Sequence, residues 1–184
     1  MKRDLSERFL SGEVVYEGRL LHVRRDVVSL PNGKEASREY IRHPGAVAVI
    51  PLFEDGSILL ERQFRYPNAR DFIEIPAGKI DPGESRLETA RRELLEETGY
   101  AANELIRLGA IHVAVSYTDE AVEIYVARGL TQSAGVAKLD EEEFLETFKV
   151  PFAEALAMVR DGRITDAKSV AGLYWLKDFI DAGR

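Results

Sequence analysis

One stretch of this chain carries the signals for a helix at both of its ends, and any fold must be arranged around it. Ser85 and Glu88 have the Ser-x-x-Glu spacing of a capping box. Gly99 stands where a left-handed C-terminal cap belongs. The pattern predicts a helix over Arg86–Thr98. At about 100° per residue, with Glu93 at zero, Glu97 falls near +40° and Glu96 near −60°. Ala90, Leu94, Leu87 and Leu95 occupy about +60° to +200° and are expected to face the core, with the three carboxylates on the adjoining side.

Around this helix the chain reads mostly as strands. Val14 to Arg42 is rich in β-branched residues and is broken by Pro31-Asn32-Gly33, which predicts two strands and a tight loop. Ala46–Ile50, Ser57–Phe64, Phe72–Ile75, Leu105–Val115 and Val122–Ala127 are further strand candidates, with Glu54-Asp55-Gly56 as a turn. Two more helices are expected near Phe152–Arg160, where Pro151 suits the N-terminal edge, and near Ala167–Asp181. Strands precede, surround and follow the central helix. The expected class is therefore mixed α/β of the α+β type.

Composition removes several kinds of function. The 184 residues include 25 Lys and Arg against 32 Asp and Glu, a net charge of −7, which argues against a nucleic-acid partner. With no cysteine, thiolate chemistry and Cys-ligated metals are excluded. No apolar run approaches the roughly 20 residues of a membrane helix, and Met1–Glu7 lacks the character of a signal peptide, so a cytoplasmic protein without a membrane partner is expected. There is no Gly-x4-Gly-Lys-Ser/Thr loop and no Gly-x-Ser-x-Gly elbow. His22, His43 and His112 are isolated and form no zinc-type pair.

The acidic stripe is costly by itself. Like charges at i,i+3 and i,i+4 cost roughly 0.2–0.5 kcal/mol per pair. Carboxylates in a last helical turn cost about 0.3–1 kcal/mol each against the helix dipole. A divalent cation would relieve both, and hard cations take carboxylate oxygens. The spacing Gly78-x5-Glu84-x7-Arg92-Glu93-Leu94-x-Glu96-Glu97-x-Gly99 resembles the signature of the Nudix hydrolases. Only the last position is loose, with Tyr100 where the family usually has Ile, Leu or Val.

The resemblance implies a Nudix-like α/β/α sandwich with a mixed sheet, preceded by a small N-terminal antiparallel β region. It divides the chain into residues 1–43, expected to serve dimerisation, and a hydrolase domain over 44–184. By similarity Glu93 and Glu97 are metal ligands, Glu96 joins the cation shell, and the Ala77 carbonyl adds a further ligand. The implied cofactor is Mg²⁺, with Mn²⁺ as the alternative. Arg92 and Glu84 are implied as a brace, while Gly78 and Gly99 are expected to hold conformations closed to other residues.

The flanks resemble the ADP-ribose pyrophosphatase and nucleoside diphosphate sugar hydrolase branch. They are Glu74-Ile75-Pro76-Ala77-Gly78-Lys79-Ile80 and Glu61-Arg62-Gln63-Phe64-Arg65-Tyr66. In that branch the arginine of Gln-x-Arg approaches the diphosphate, which makes Arg65 the candidate here, followed by Arg42 and Arg38. Glu141 or Glu143, in Leu139–Phe144, is implied as the general base, with Glu120 in reserve. Glu97 is a candidate catalytic residue as well as a ligand. Val115-Ser116 stands where the branch usually has Pro-Gly, and Tyr117 lies where dinucleoside polyphosphate hydrolases place a tyrosine. The implied reaction is metal-assisted hydrolysis of ADP-ribose or a related nucleotide sugar by a homodimer, giving AMP and ribose 5-phosphate from ADP-ribose. Hydrolysis of dinucleoside polyphosphates, GDP-mannose or NADH is the alternative, as is a non-hydrolytic nucleotide-sensing module.

Overall fold

The computed structural model describes residues 4–133 and 144–183, which fall into two compact units. The first comprises the N-terminal residues through Gly45 together with His112–Glu120. Its strands β1 (Arg8–Glu17), β2 (His22–Ser29) and β3 (Glu35–Arg42) form an antiparallel sheet in the order β1-β2-β3. The sequence predicts two strands here; the structure has three. The turn read at Pro31-Asn32-Gly33 joins β2 to β3, with Gly33 at φ +82° and the Asn32 side chain accepting from Lys34 N at 3.0 Å. The missed turn closes through Gly18 N–H to the Leu21 carbonyl at 2.9 Å and carries no Pro or Asn to announce it.

Every residue of β1 is exposed, including Phe9, Leu10, Val14, Val15 and Tyr16. The segment 112–120 adds to the end of β3. Ile41 N donates to the Tyr117 carbonyl at 2.8 Å, and Asp119 accepts from His43 N and Arg42 Nη1 at 2.8 and 2.7 Å.

The second unit holds β4 (Ala46–Pro51), β5 (Ser57–Arg65), a 3-10 turn at Tyr66–Asn68, β6 (Arg70–Glu74) and β7 (Ala77–Lys79). Then come α1 (Arg86–Thr98), β8 (Tyr100–His112), β9 (Ala121–Gln132), β10 (Leu145–Pro151), α2 (Phe152–Arg160) and α3 (Ala167–Asp181). One sheet is mixed, in the order β7-β4-β9-β8, with β4 and β9 parallel and β4 and β7 antiparallel. A second, antiparallel sheet has the order β10-β5-β6.

Side-chain alternation along β4 explains the sandwich, because successive residues of a strand face opposite sides. Val47 and Val49 join Tyr125 and Ala127 of β9 against Ala90 and Leu94 of α1. On the other face, Ile50 and Ile124 meet α3 at Gly172, where an added Cβ would stand 3.1 Å from Ile124 and Ile75 and 3.3 Å from Ile50. β4 is buried along its whole length because both faces are covered. Each large aliphatic side chain buried this way contributes about 1.5–3 kcal/mol.

Helix α1 has the predicted bounds and caps: the box between Ser85 and Glu88 is closed on both sides, and Gly99 caps at φ +72°. Its buried face is rotated from the predicted one. Thr89, Ala90, Leu94, Glu97 and Thr98 are buried, whereas Leu87 and Leu95 are 44% and 41% exposed. The acidic stripe therefore overlaps the face that packs on the sheet.

Candidate active site

That rotation brings the end of α1 against β7, a three-residue strand at the sheet edge. Pro76 ends β6 because it has no N–H to give. Its carbonyl accepts from Val49 N at 2.8 Å. In a trans peptide the next N–H points the opposite way, so Ala77 N faces α1. There it donates to Glu97 Oε2 at 2.9 Å. Glu97 is only 6% exposed, a burial that carboxylates rarely adopt without partners.

Gly78 makes room for the neighbouring carboxylate. A Cβ at this position would lie 1.9 Å from Glu93 Oε1 and 2.4 Å from Oε2. Gly78 was expected, with Gly99, to need a backbone conformation closed to other residues. Gly99 does, but Gly78 is outside the left-handed region and is required for space instead. Tyr100, the loose position of the signature, opens β8 and packs edge-on against Phe53, with ring centroids 5.3 Å apart.

Arg92 is the hub of the loop and helix. Its Nε and Nη2 donate to Glu84, at 3.0 Å to Oε1 and Oε2 respectively, and Nη2 also reaches the Lys79 carbonyl at 3.1 Å. Nη1 donates to Glu93 Oε1 at 2.7 Å and Glu96 Oε2 at 3.1 Å. Thr89 adds a hydroxyl to Glu84 at 2.9 Å. Relief of the like-charge repulsion is expected from a cation, but part of it comes from Arg92.

The Arg92 hydrogen bond holds the Glu84 carboxyl below its ordinary pKa of 4.5. A carboxyl whose folded pKa is lowered stabilises the fold above its unfolded value, and that contribution is lost as pH falls through the folded value. Stability should accordingly decline as pH drops below about 4.5, the ordinary carboxyl value. In Arg92→Lys the guanidinium fork is gone. We expect the thermal midpoint at pH 7 to fall by roughly 3–8 °C and the acid slope to flatten. An unchanged midpoint and slope on scanning calorimetry would remove the bracing role.

The cradle fits a hard cation in donor type. The Ala77 carbonyl, Glu93, Glu96 and Glu97 offer only oxygen, the ligand preferred by Mg²⁺ and Mn²⁺. The bare backbone at Gly78 lets the Glu93 carboxylate come up against β7, where a side chain would hold it off. Among the described residues no three His, Asp or Glu side chains already stand at metal-ligand spacing, since Glu93 and Glu96 are turned to Arg92.

The remaining candidates divide by unit. Arg65, at the end of β5, makes a two-point pair with Glu74, Nε to Oε1 at 2.8 Å and Nη2 to Oε2 at 2.9 Å. Arg42 lies in the first unit, paired with Asp119. So does Arg38, which pairs with Glu7, and Glu120, whose carboxylate is 3.9 Å from His43 Nδ1. Glu141 and Glu143 lie outside the described residues.

Residues that sequence reasoning passed over cluster behind Arg65. Lys168, only 12% exposed in its side chain, pairs with Glu74 and with Asp166, the latter at 3.0 Å. Asp166 caps α3 through Ser169 N at 3.0 Å, and the buried Ser169 hydroxyl accepts from Ile75 N at 2.9 Å. Asp166-x-x-Ser169 is a legible cap pattern, but its link to Glu74 and Ile75 is not local.

Comparison with known proteins finds relatives over most of the chain. A family model described as "NUDIX domain" matches residues 42–173, and one described as "Nucleoside diphosphate sugar hydrolase N-terminal domain" matches residues 7–41. The chain is 38% identical to an ADP-ribose pyrophosphatase of Bacillus subtilis (strain 168), over 95% of each chain. It is also 38% identical to a methanol dehydrogenase activator of Bacillus methanolicus, over 96% of each. A crystal structure of an ADP compounds hydrolase superposes with a TM-score of 0.85 at 28% identity, covering 99% of this chain and 98% of that one.

Proposed function

The chain belongs to the NUDIX domain family, and from that premise we propose that it hydrolyses the diphosphate linkage of ADP-ribose or a related nucleoside diphosphate sugar with the help of Mg²⁺. The observation that carries the reading is the cradle in which buried Glu97 and Glu93 meet the Ala77–Gly78 backbone. Such a carboxylate set against bare backbone offers oxygen to a hard cation without a side chain in the way. The relatives named as an ADP-ribose pyrophosphatase and an ADP compounds hydrolase favour the nucleotide class.

Ala77, Glu93, Glu96 and Glu97 hold the divalent ion. When bound, it neutralises diphosphate charge and lowers the pKa of water, and Mn²⁺ serves in place of Mg²⁺. Arg65 binds the diphosphate through the guanidinium edge that Glu74 leaves open, and Arg42 is a second substrate contact. Glu84 and Arg92 keep the loop and helix in register, and Gly99 ends the helix. Glu141 or Glu143 takes the proton of the attacking water. That water adds to one phosphorus as the bridging oxygen leaves with the other phosphate, giving AMP and ribose 5-phosphate from ADP-ribose.

Residues 1–43 form a dimerisation region and 44–184 the catalytic domain. The exposed Phe9, Leu10, Val14, Val15 and Tyr16 of β1 support a homodimer, because such apolar surface is unfavourable in water. A sedimentation mass equal to one chain of 20.7 kDa would contradict it. Among the described residues no helix is long and apolar enough to cross a membrane. We place the protein in the cytoplasm, with no nucleic acid or membrane as partner.

The experiment is a product assay on ADP-ribose, GDP-mannose, UDP-glucose, diadenosine polyphosphates and NADH, with Mg²⁺ or with a chelator. Nucleotide sugars should be cleaved only with the metal, ADP-ribose fastest. Absence of cleavage across the panel would leave nucleotide sensing as the better reading.

A further inference from the structure

We propose that Glu74 and Lys168 are positioning residues that aim the Arg65 guanidinium at the substrate diphosphate, an inference that rests on the role given to Arg65 above. A guanidinium has five N–H donors in a planar fork. Glu74 takes one from Nε and one from Nη2. Of the three left over, one on Nη1 and one on Nη2 form the end-on Nη1–Nη2 edge, which is turned away from Glu74 because the fork is rigid. That edge has the shape for a second two-point contact, this time with phosphate oxygens. The Arg65 side chain is 41% exposed while Glu74 is 4% exposed, so the pair presents its cation outward and keeps its anion inside.

A buried carboxylate can hold such a pose only if its own charge is matched. Lys168 does this from the first turn of α3, its ammonium on the Glu74 Oε2 that also accepts from Arg65 Nη2. Lys168 is fixed in turn by Asp166, which also caps α3 through Ser169. Glu61, a second buried carboxylate, stands directly across from Glu74 in the β5–β6 register. Without Lys168 the guanidinium would meet the Glu74 charge alone and would be drawn inward. With it, Arg65 keeps charge to offer an anion. The same helix turn holds Ile75 N through the Ser169 hydroxyl, two residues before the Ala77 that meets Glu97. The α3 terminus thus anchors the short strap between the arginine and the carboxylate cradle.

A double-mutant cycle on ADP-ribose hydrolysis tests this, with KM and kcat measured separately and melting curves taken for every variant. Arg65→Ala and Glu74→Gln should each raise KM by about 10-fold or more, with kcat changed by less than about threefold. The double variant should match Arg65→Ala alone, since Glu74 acts only through the arginine. Lys168→Met should raise KM in the same direction, and Arg65→Lys should fail to restore it because an ammonium cannot make both two-point contacts. If Glu74→Gln does not fold, Lys168→Met in the Arg65→Ala background supplies the same comparison. Equal and additive KM effects in both backgrounds, or a normal KM in Glu74→Gln and Lys168→Met, would overturn the proposal. A normal KM in Arg65→Ala would overturn it together with the role of Arg65, while a wild-type protein inert toward every nucleotide sugar would point to failure of the activity itself.

Discussion

Glu97→Gln should lower kcat by about 10²–10³-fold or more while leaving the fold intact. The glutamine is isosteric, and its amide oxygen can still accept from Ala77 N, so the contact that ties α1 to β7 survives. What is lost is a negative charge at the end of a buried side chain aimed at the strand backbone. A neutral amide is a poor ligand for a hard divalent ion, and the variant should bind it weakly at any ordinary Mg²⁺ concentration. Melting temperature without metal should stay near that of the parent, or rise, because the like-charge repulsion with Glu93 is relieved. A variant with near-normal turnover would defeat the ligand assignment.

Gly78→Ala should be nearly as damaging, and for a steric reason alone. The new methyl would stand about where the Glu93 carboxyl carbon now lies, 2.0 Å away. Backbone strain is not involved, because Gly78 is outside the left-handed region. Glu93 must swing out of the cradle, carrying its hydrogen bond from Arg92 with it. Misplacement of a reacting group by about 1 Å can cost 10²-fold, and we expect a loss of about that size in kcat. Glu93→Ala in the Gly78→Ala background should cost little more. Turnover within a few-fold of the parent would show that Glu93 does not need the room that Gly78 leaves it.

How much of this was legible in the sequence differs from element to element. α1 was bounded correctly because caps are local and chemically specific, and Ser85, Glu88 and Gly99 each have one plausible use. Its orientation is not legible in the same way, because amphipathicity counts apolar residues as inward. The rule fails where carboxylates are buried for their chemistry, and Leu87 and Leu95 stay exposed while Glu97 does not. Helices α2 and α3 have the predicted limits, whereas β7 was not separated as a strand since three residues show no period. The start of β1 at Arg8 is not legible, because none of its residues is buried and no alternation marks it. At the candidate site, residues gathered by one helix and its lead-in could be found by spacing. The Arg65–Glu74–Lys168 arrangement could not, since the lysine is 94 positions from its partner and only the packing of α3 unites them.

On the proposed function, the α1 carboxylates and the β7 backbone together form a seat for a divalent ion. Electron paramagnetic resonance of Mn²⁺ titrated into the protein with a nonhydrolysable ADP-ribose analogue reads this directly. We expect saturable loss of the free-ion signal in the parent, competed by Mg²⁺, and no such loss in Glu93→Gln and Glu97→Gln. Unaltered Mn²⁺ binding in both variants would contradict it.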